Sequence, residues 1–151
     1  MLCTFPICIK SGQGAYVFDT EGKKYLDFTA GIGVNGLGYA YQPWVQAVQK
    51  QAANLAHISN LFYNEPVLEL AQKLVKRTGM SRVFFQNSGA ESNEGAIKVA
   101  HKYANDTYHG QRNEILTLVN SFHGRTMETL VATGQDVFHQ NLILFQPDLI
   151  M

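Results

Sequence analysis

Residues 84–103 read Phe84-Phe85-Gln86-Asn87-Ser88-Gly89-Ala90-Glu91-Ser92-Asn93-Glu94-Gly95-Ala96-Ile97-Lys98-Val99-Ala100-His101-Lys102-Tyr103, and their reading decides the fold. An apolar run stops at Asn87-Ser88-Gly89 and a helical pattern begins at once. Ser88 and Glu91 fit S-x-x-E, a capping box, which is the ordinary reason for such a turn. Gly89 and Ala90 add a second property. With almost no side chain they leave backbone N–H groups uncovered at a helix N-terminus, where the helix dipole favours an anion such as phosphate. The turn also follows the carboxyl end of a predicted strand, the edge at which open α/β sheets bind ligands. The cap and the anion seat are compatible, because the cap orients the same turn.

Outward from this turn, the pattern is helix, strand, helix, strand. Pro66 opens a helix with Val67, Leu70, Ala71 and Leu74 on one stripe. Glu69 and Lys73 form an i,i+4 pair, Lys76 and Arg77 fill its last turn, and Gly79 stops it. Residues 82–86 predict a short buried strand. Residues 89 to about 104 predict the next helix, with Ile97, Ala100 and Tyr103 inward. Residues 115–119 predict another strand, followed by Phe122-His123-Gly124-Arg125-Thr126 and a short helix. This order predicts an α/β fold with a mainly parallel sheet covered by helices, of which only the beginning is present. Nearer the start, residues 15–19 and 24–28 predict a hairpin closed by Thr20-Glu21-Gly22-Lys23. A glycine-rich loop spans 31–38. Pro43 then leads a helix to about residue 56, with Val45, Val48, Ala52 and Leu55 at helical spacing.

The second post-strand loop carries chemistry of its own. Phe122 offers a flat ring for stacking. Arg125 offers a planar fork that suits a carboxylate. In isolation, a core aromatic and a surface arginine explain both. Two post-strand loops of one parallel sheet, however, converge at one edge. A phosphate seat, a stacking ring and a carboxylate fork together suit a flat phosphorylated cofactor beside an acidic small molecule.

Bulk composition narrows the alternatives. The 151 residues are 46% hydrophobic and 16% charged, the makeup of one globular domain. Twelve basic residues balance twelve acidic ones, so no excess charge calls for nucleic acid or an acidic membrane. Cys3 and Cys8 alone make neither a zinc site nor a disulfide framework, which points to a reducing, cytoplasmic setting. Residues 28–49 carry no formal charge, but their glycines, glutamines and Pro43 argue against a membrane helix. Gly31-Ile32-Gly33-Val34-Asn35-Gly36 matches the dinucleotide fingerprint G-x-G-x-x-G. Position 56, where that fingerprint expects an acid, is alanine, so a nicotinamide enzyme is a distant rival. The five histidines show no zinc spacing, and Ser88 is not in G-x-S-x-G.

The chain resembles the N-terminal part of a class III pyridoxal-phosphate aminotransferase, and within that family the acetylornithine branch. The matching segments are residues 22–28, 31–35, 59–66, 87–94, 122–126 and 133–135, in family order. The resemblance implies the beginning of a fold-type-I large domain over 43–140. It makes 1–42 a strand and loop segment of the small domain. It implies that Ser88, Gly89 and Ala90 hold the cofactor phosphate, that Phe122 stacks on the pyridine ring with His123 beside it, and that Arg125 grips the substrate α-carboxylate. Asn60, Tyr63 and the 31–35 loop would lie near the substrate entrance or a dimer partner. The family usually has Thr at position 90, so Ala90 loses a hydroxyl but keeps its N–H. Tyr39 and Tyr41 stand where the family has histidines.

The implied reaction moves an amino group between N-acetylornithine and 2-oxoglutarate, in arginine biosynthesis, within a cytoplasmic homodimer. Relatives use ornithine, succinylornithine or 4-aminobutyrate. None of the eight lysines (Lys10, Lys23, Lys24, Lys50, Lys73, Lys76, Lys98, Lys102) matches the family's Schiff-base lysine, which lies further downstream. The expectation is a truncated chain with no catalytic residue of its own and no independent transamination. Residues 141–151 are expected to leave the family pattern, as after a frameshift. The rival from another class is a non-catalytic fragment that only binds a partner.

Overall fold

The computed structural model describes residues 5–140 and Leu142. Cys3 and the expected departure of the tail at 141–151 lie outside the described residues, Leu142 apart. The chain forms two compact units that divide between Leu68 and Glu69.

In the first unit, three antiparallel strands lie in the order β1 (Ile9–Gln13), β2 (Tyr16–Asp19), β3 (Lys24–Leu26). The expected hairpin is β2–β3, with Tyr16 opposite Leu26, Val17 opposite Tyr25 and Phe18 opposite Lys24. Asp19 organises its turn. The carboxylate accepts the Glu21 and Lys23 amides, each at 2.9 Å, and the Tyr25 hydroxyl at 2.8 Å. The Tyr25 hydroxyl, assisted by those amides and by Lys23, holds the Asp19 carboxyl below its usual range. Strand β1 has no apolar alternation to announce it; it exists because β2 offers a free edge, and it joins that edge with an irregularity between Ile9 and Ser11.

The glycine-rich loop is tied back to this sheet at two points. Gly14 and Tyr39 exchange backbone hydrogen bonds of 2.9 and 2.8 Å. The Tyr39 hydroxyl donates to Asp27 at 2.7 Å. Asp27 also accepts the Thr29 amide at 2.8 Å, the Thr29 hydroxyl at 2.6 Å and the Ala30 amide at 3.2 Å. This net holds a run of left-handed residues that includes Ala30 (φ 46°) and Ile32 (φ 59°). For a β-branched residue that conformation is costly, on the order of 1–3 kcal/mol, and needs such surroundings to persist. Gly12 is required here, since a Cβ on it would lie 2.5 Å from the Tyr39 ring. Tyr39 therefore closes the loop.

Helix α1 (Gln42–Asn54) and helix α2 (Glu65–Thr78) form close to where the sequence places them. Asn64 accepts the Val67 amide at 3.1 Å at the start of α2, and Gly79 leaves it with φ 72°. The Glu69–Lys73 pair is present at 3.9 Å but exposed, so it is worth only tenths of a kcal/mol. Neither helix buries a residue. Their apolar stripes are built but stay largely exposed: Val48, Val67 and Leu70 are exposed, and Val45, Ala71 and Leu74 only half-buried.

The second unit holds α3 (Gly89–Tyr108), α4 (Met127–Ala132) and a 3-10 turn (Asp136–Phe138). Helix α3 outruns its expected end by one turn. A 2.7 Å Lys102–Asp106 pair and the edge contact of Tyr103 on Tyr108 carry it through weak helix formers, until His109 (φ 51°) and Gly110 (φ 78°) stop it. Its buried residue is Ala104; of the residues expected inward, Ile97 is half-buried while Ala100 and Tyr103 are exposed.

The class is α/β, but the expected strands at 82–86 and 115–119 are a departure. Neither is a strand, and the antiparallel sheet is the one sheet among the described residues. A strand needs a ladder partner, and no described residue offers one. Phe84, Leu116 and Leu118 are correspondingly exposed. Gln86 and Phe84 instead lie against α3 at Gly95, at ordinary contact distance from where a Cβ would stand.

The Asp27 net generates a pH prediction. Its bonds from Thr29 and then Tyr39 depress the carboxyl to about 2 from an ordinary value of 3.8. A depressed folded-state value means stability that is present above pH ~4 and lost as pH falls toward ~2. Urea unfolding followed by Trp44 emission, the single tryptophan, should show the first unit weakening across that window. Asp27→Asn should flatten the loss; an unchanged acid limb would remove Asp27 from this role.

Candidate active site

Helix α3 begins as its sequence dictates. Ser88 is extended (φ −151°, ψ 164°), and its Oγ accepts the Glu91 amide at 3.2 Å. The Ser88 hydroxyl donates back to Glu91 Oε2 at 3.0 Å, and Asn87 Nδ2 donates to Oε1 at 3.1 Å. These bonds, Asn87 first, hold the Glu91 carboxyl below its usual range. Among the described residues the amides of Gly89 and Ala90 have no acceptor. A Cβ on Gly89 would meet nothing within 4 Å, so the approach to those amides is open. An open first turn with free donors and a positive dipole end is chemically suited to a phosphate group.

The Phe122–Thr126 loop is seated on this same first turn of α3 at three points. Gly124 packs against Ala90; a Cβ on Gly124 would come within 2.7 Å of the Ala90 Cβ and 2.5 Å of Thr129 Oγ1. Its φ of 139° also excludes most other residues. Asn93 Nδ2 donates to the His123 carbonyl at 2.7 Å. Glu94 Oε1 accepts the Thr126 hydroxyl at 2.5 Å and the Glu128 and Thr129 amides at 3.2 and 3.3 Å. Glu94 thus adds a cap to α4 from a neighbouring helix, beside the helix's own Thr126–Thr129 capping box.

Thr133-Gly134-Gln135 closes the loop from its far end. Thr129 and Thr133 are the fully buried side chains among the described residues. Thr133 Oγ1 accepts the His123 amide at 3.0 Å and donates to the Thr129 carbonyl at 2.8 Å. Gly134 lies where a Cβ would strike the Leu118 carbonyl; its carbonyl accepts the Asn120 amide at 2.7 Å and its amide donates to the Ser121 carbonyl at 3.1 Å. The Gln135 amide nitrogen donates to the Ser121 carbonyl at 3.2 Å.

What results is a half-exposed Phe122 ring, an exposed Arg125 and the open turn at Ser88-Gly89-Ala90, all carried by one small polar scaffold. The structure brings together Ser88, Gly89, Ala90, Phe122, His123 and Arg125. Asn60 and Tyr63 belong to the first unit, between α1 and α2. There Tyr63 is exposed, and Asn60 lines a groove with His57, Ile58 and Asn64. Sequence reading missed Asn93, Glu94, Thr129 and Thr133. A signal was available: a polar Asn-Glu pair inside α3, and threonines at 126, 129 and 133 spaced for one helix face. No group of three or more His, Cys, Asp or Glu side chains placed to hold a metal occurs among the described residues.

Comparison with known proteins adds a family. Residues 3–151 match the family described as Aminotransferase class-III. The chain is 57% identical over 141 residues to the acetylornithine aminotransferase of Haemophilus ducreyi, covering 93% of this chain and 36% of that protein. It is 52% identical over 136 residues to the acetylornithine aminotransferase of Caldanaerobacter subterraneus, covering 90% and 35%. It therefore spans about a third of the length of these curated relatives. Among solved structures, the omega transaminase from Pseudomonas jessenii in complex with PMP superposes with a TM-score of 0.85 at 32% identity, covering 94% of this chain and 32% of that one.

The three-point seat makes its own prediction. Glu94→Ala should destabilise the second unit by about 0.5–2 kcal/mol, the range for losing a helix cap. It should also speed amide exchange at Glu128 and Thr129 while leaving Ser92 unchanged. Gly124→Ala should do more harm, because both its clash and its backbone conformation oppose a side chain. Exchange rates at 128 and 129 equal to wild type in Glu94→Ala would remove the cap.

Proposed function

We propose a function from one premise: the chain belongs to the class-III aminotransferase family. That family is one of pyridoxal-phosphate-dependent transaminases. For the whole protein we propose amino transfer between N-acetylornithine and 2-oxoglutarate, in arginine biosynthesis. The support is the identity to two acetylornithine aminotransferases from distant organisms. Ornithine, succinylornithine and 4-aminobutyrate are the alternative amino donors. A cytoplasmic homodimer goes with this reading. No helix among the described residues is long and apolar enough to cross a membrane.

The residues present fit the cofactor. The observation that carries the reading is the open first turn of α3, with the Gly89 and Ala90 amides unpaired and the Phe122 loop locked beside it. Ser88, Gly89 and Ala90 receive the phosphate, mainly through N–H groups. Phe122 lays a ring face against the pyridine, and His123 flanks it. Arg125 pairs with the substrate carboxylate, which fixes the α-carbon relative to the ring. When bound, the cofactor supplies an electron sink for that carbon. Asn60 and Tyr63 are assigned to the substrate entrance. Residues 1–42 are assigned to the small domain and 43–140 to the start of the large one. No lysine of this chain is assigned to the cofactor aldehyde.

Titration of the chain with pyridoxal phosphate and with pyridoxal, followed by absorbance, tests this. The phosphorylated form should bind about tenfold or more tightly, since two or three charge-assisted hydrogen bonds depend on its phosphate. Equal affinities would sink the phosphate seat. Binding of neither, with self-association on size exclusion, would favour the non-catalytic fragment, whose support is the uncovered apolar stripe on α2.

A further inference from the structure

We propose that Phe138 is a positioning residue for Arg125, forming with Phe122 a two-ring bed that holds the guanidinium ready for a carboxylate. The inference rests on the reading of Arg125 as the substrate's carboxylate fork. The Phe122 and Phe138 ring centroids are 5.4 Å apart, tilted by 59°. The Arg125 guanidinium carbon lies 5.6 Å from the Phe122 centroid and 5.7 Å from that of Phe138. Both distances are within the range over which a ring face attracts a cation. Among the described residues Arg125 has no acidic partner. Its charge is thus held by rings, which take no N–H, and not by a carboxylate, which would occupy the donors a substrate needs.

The position of Phe138 is built on both sides. Before it, Gln135 is bonded to the Ser121 carbonyl at 3.2 Å, and the Phe138 amide donates to the Gln135 carbonyl at 3.0 Å. After it, the His139 ring contacts the Leu130 carbonyl at 2.8 Å, tying the turn to α4. The Phe138 ring is half-buried, whereas Phe122 is 51% exposed and keeps surface free for a second flat ring. A ring held from behind gives Phe122 a fixed tilt, and gives Arg125 a resting place beside the surface where the cofactor ring would lie. Ordering a long arginine beforehand reduces what binding must later spend on it.

The test compares wild-type chain with Phe138→Leu, Phe138→Met and Phe138→Tyr, using the NMR resonance of the Arg125 side-chain Nε–H and titration with 2-oxoglutarate. In wild type, ring currents should displace that resonance, and 2-oxoglutarate should shift it. Phe138→Leu and Phe138→Met should return it toward a solvated arginine and weaken 2-oxoglutarate about two- to fivefold, the loss of one ring's attraction, with unchanged melting temperature. Phe138→Tyr should keep both properties. The proposal is overturned if the leucine and methionine variants keep the resonance and the affinity, if tyrosine loses as much as leucine, or if 2-oxoglutarate leaves the wild-type resonance unmoved. The preference for pyridoxal phosphate over pyridoxal reads Ser88 and Gly89, not Phe138, so failure of the family reading is seen separately.

Discussion

The close approach of Gly124 to Ala90 and Thr129 is the constraint on which the rest of the second unit depends. No Cβ fits between these residues. That contact sets the loop down on the first turn of α3, near enough for Asn93 to reach the His123 carbonyl and for Glu94 to cap α4. Every later step is a hydrogen bond of ordinary length made possible by that proximity. Phe122 and Arg125 lie on its exposed side, where Arg125 rests over the Phe122 and Phe138 rings and has no ion pair among the described residues.

The first unit uses the same economy with different residues. There the close approach is Gly12 under the Tyr39 ring, and the charged anchor is Asp27 in place of Glu94. In both units a carboxylate gathers three or four donors from a segment that has no regular structure to satisfy them. Charge-assisted bonds of this kind are stronger than neutral ones, and they compensate for left-handed or cramped backbone that propensity alone would reject. Asp27 holds Ala30 and Ile32 in the left-handed region; Glu94 holds the start of a helix too short to persist by itself.

What could be read from the sequence follows from the range of the interactions involved. The Ser88–Glu91 cap, the turn at residues 20–23 and the Glu69–Lys73 pair join residues within four positions of one another, and each was legible, whereas the Asp19 carboxylate that organises that turn was not singled out. The convergence of the Ser88 turn and the Phe122 loop was legible too, through the strand–turn–helix pattern, although the flanking segments 82–86 and 115–119 do not pair as strands. Glu94 with Thr126, and Asn93 with His123, span thirty or more positions, and no local pattern marks them. Strand β1 was invisible for a related reason: Ile9-Lys10-Ser11-Gly12-Gln13 has no alternation of its own and depends on the edge of β2. The one-turn extension of α3 rests on the Lys102–Asp106 pair and the Tyr103–Tyr108 contact, small terms set against weak intrinsic propensity.

Polar order and apolar burial are therefore uncoupled in this chain. Among the described residues the buried apolar side chains are Val17, Ala104 and Leu130, while Thr129 and Thr133 are buried more completely than any of them. A hydrophobic core draws on area from many elements at once, so it grows only as layers are added. A hydrogen-bonded loop seated on one helix needs only its own few donors and acceptors. The loop geometry consequently depends on a handful of side chains in the second unit, where Leu116, Leu118 and Val119 stay exposed. That division explains how the Phe122–Thr126 loop can be fixed on the first turn of α3 by residues of that one unit, while the sheet expected around it does not form among the described residues.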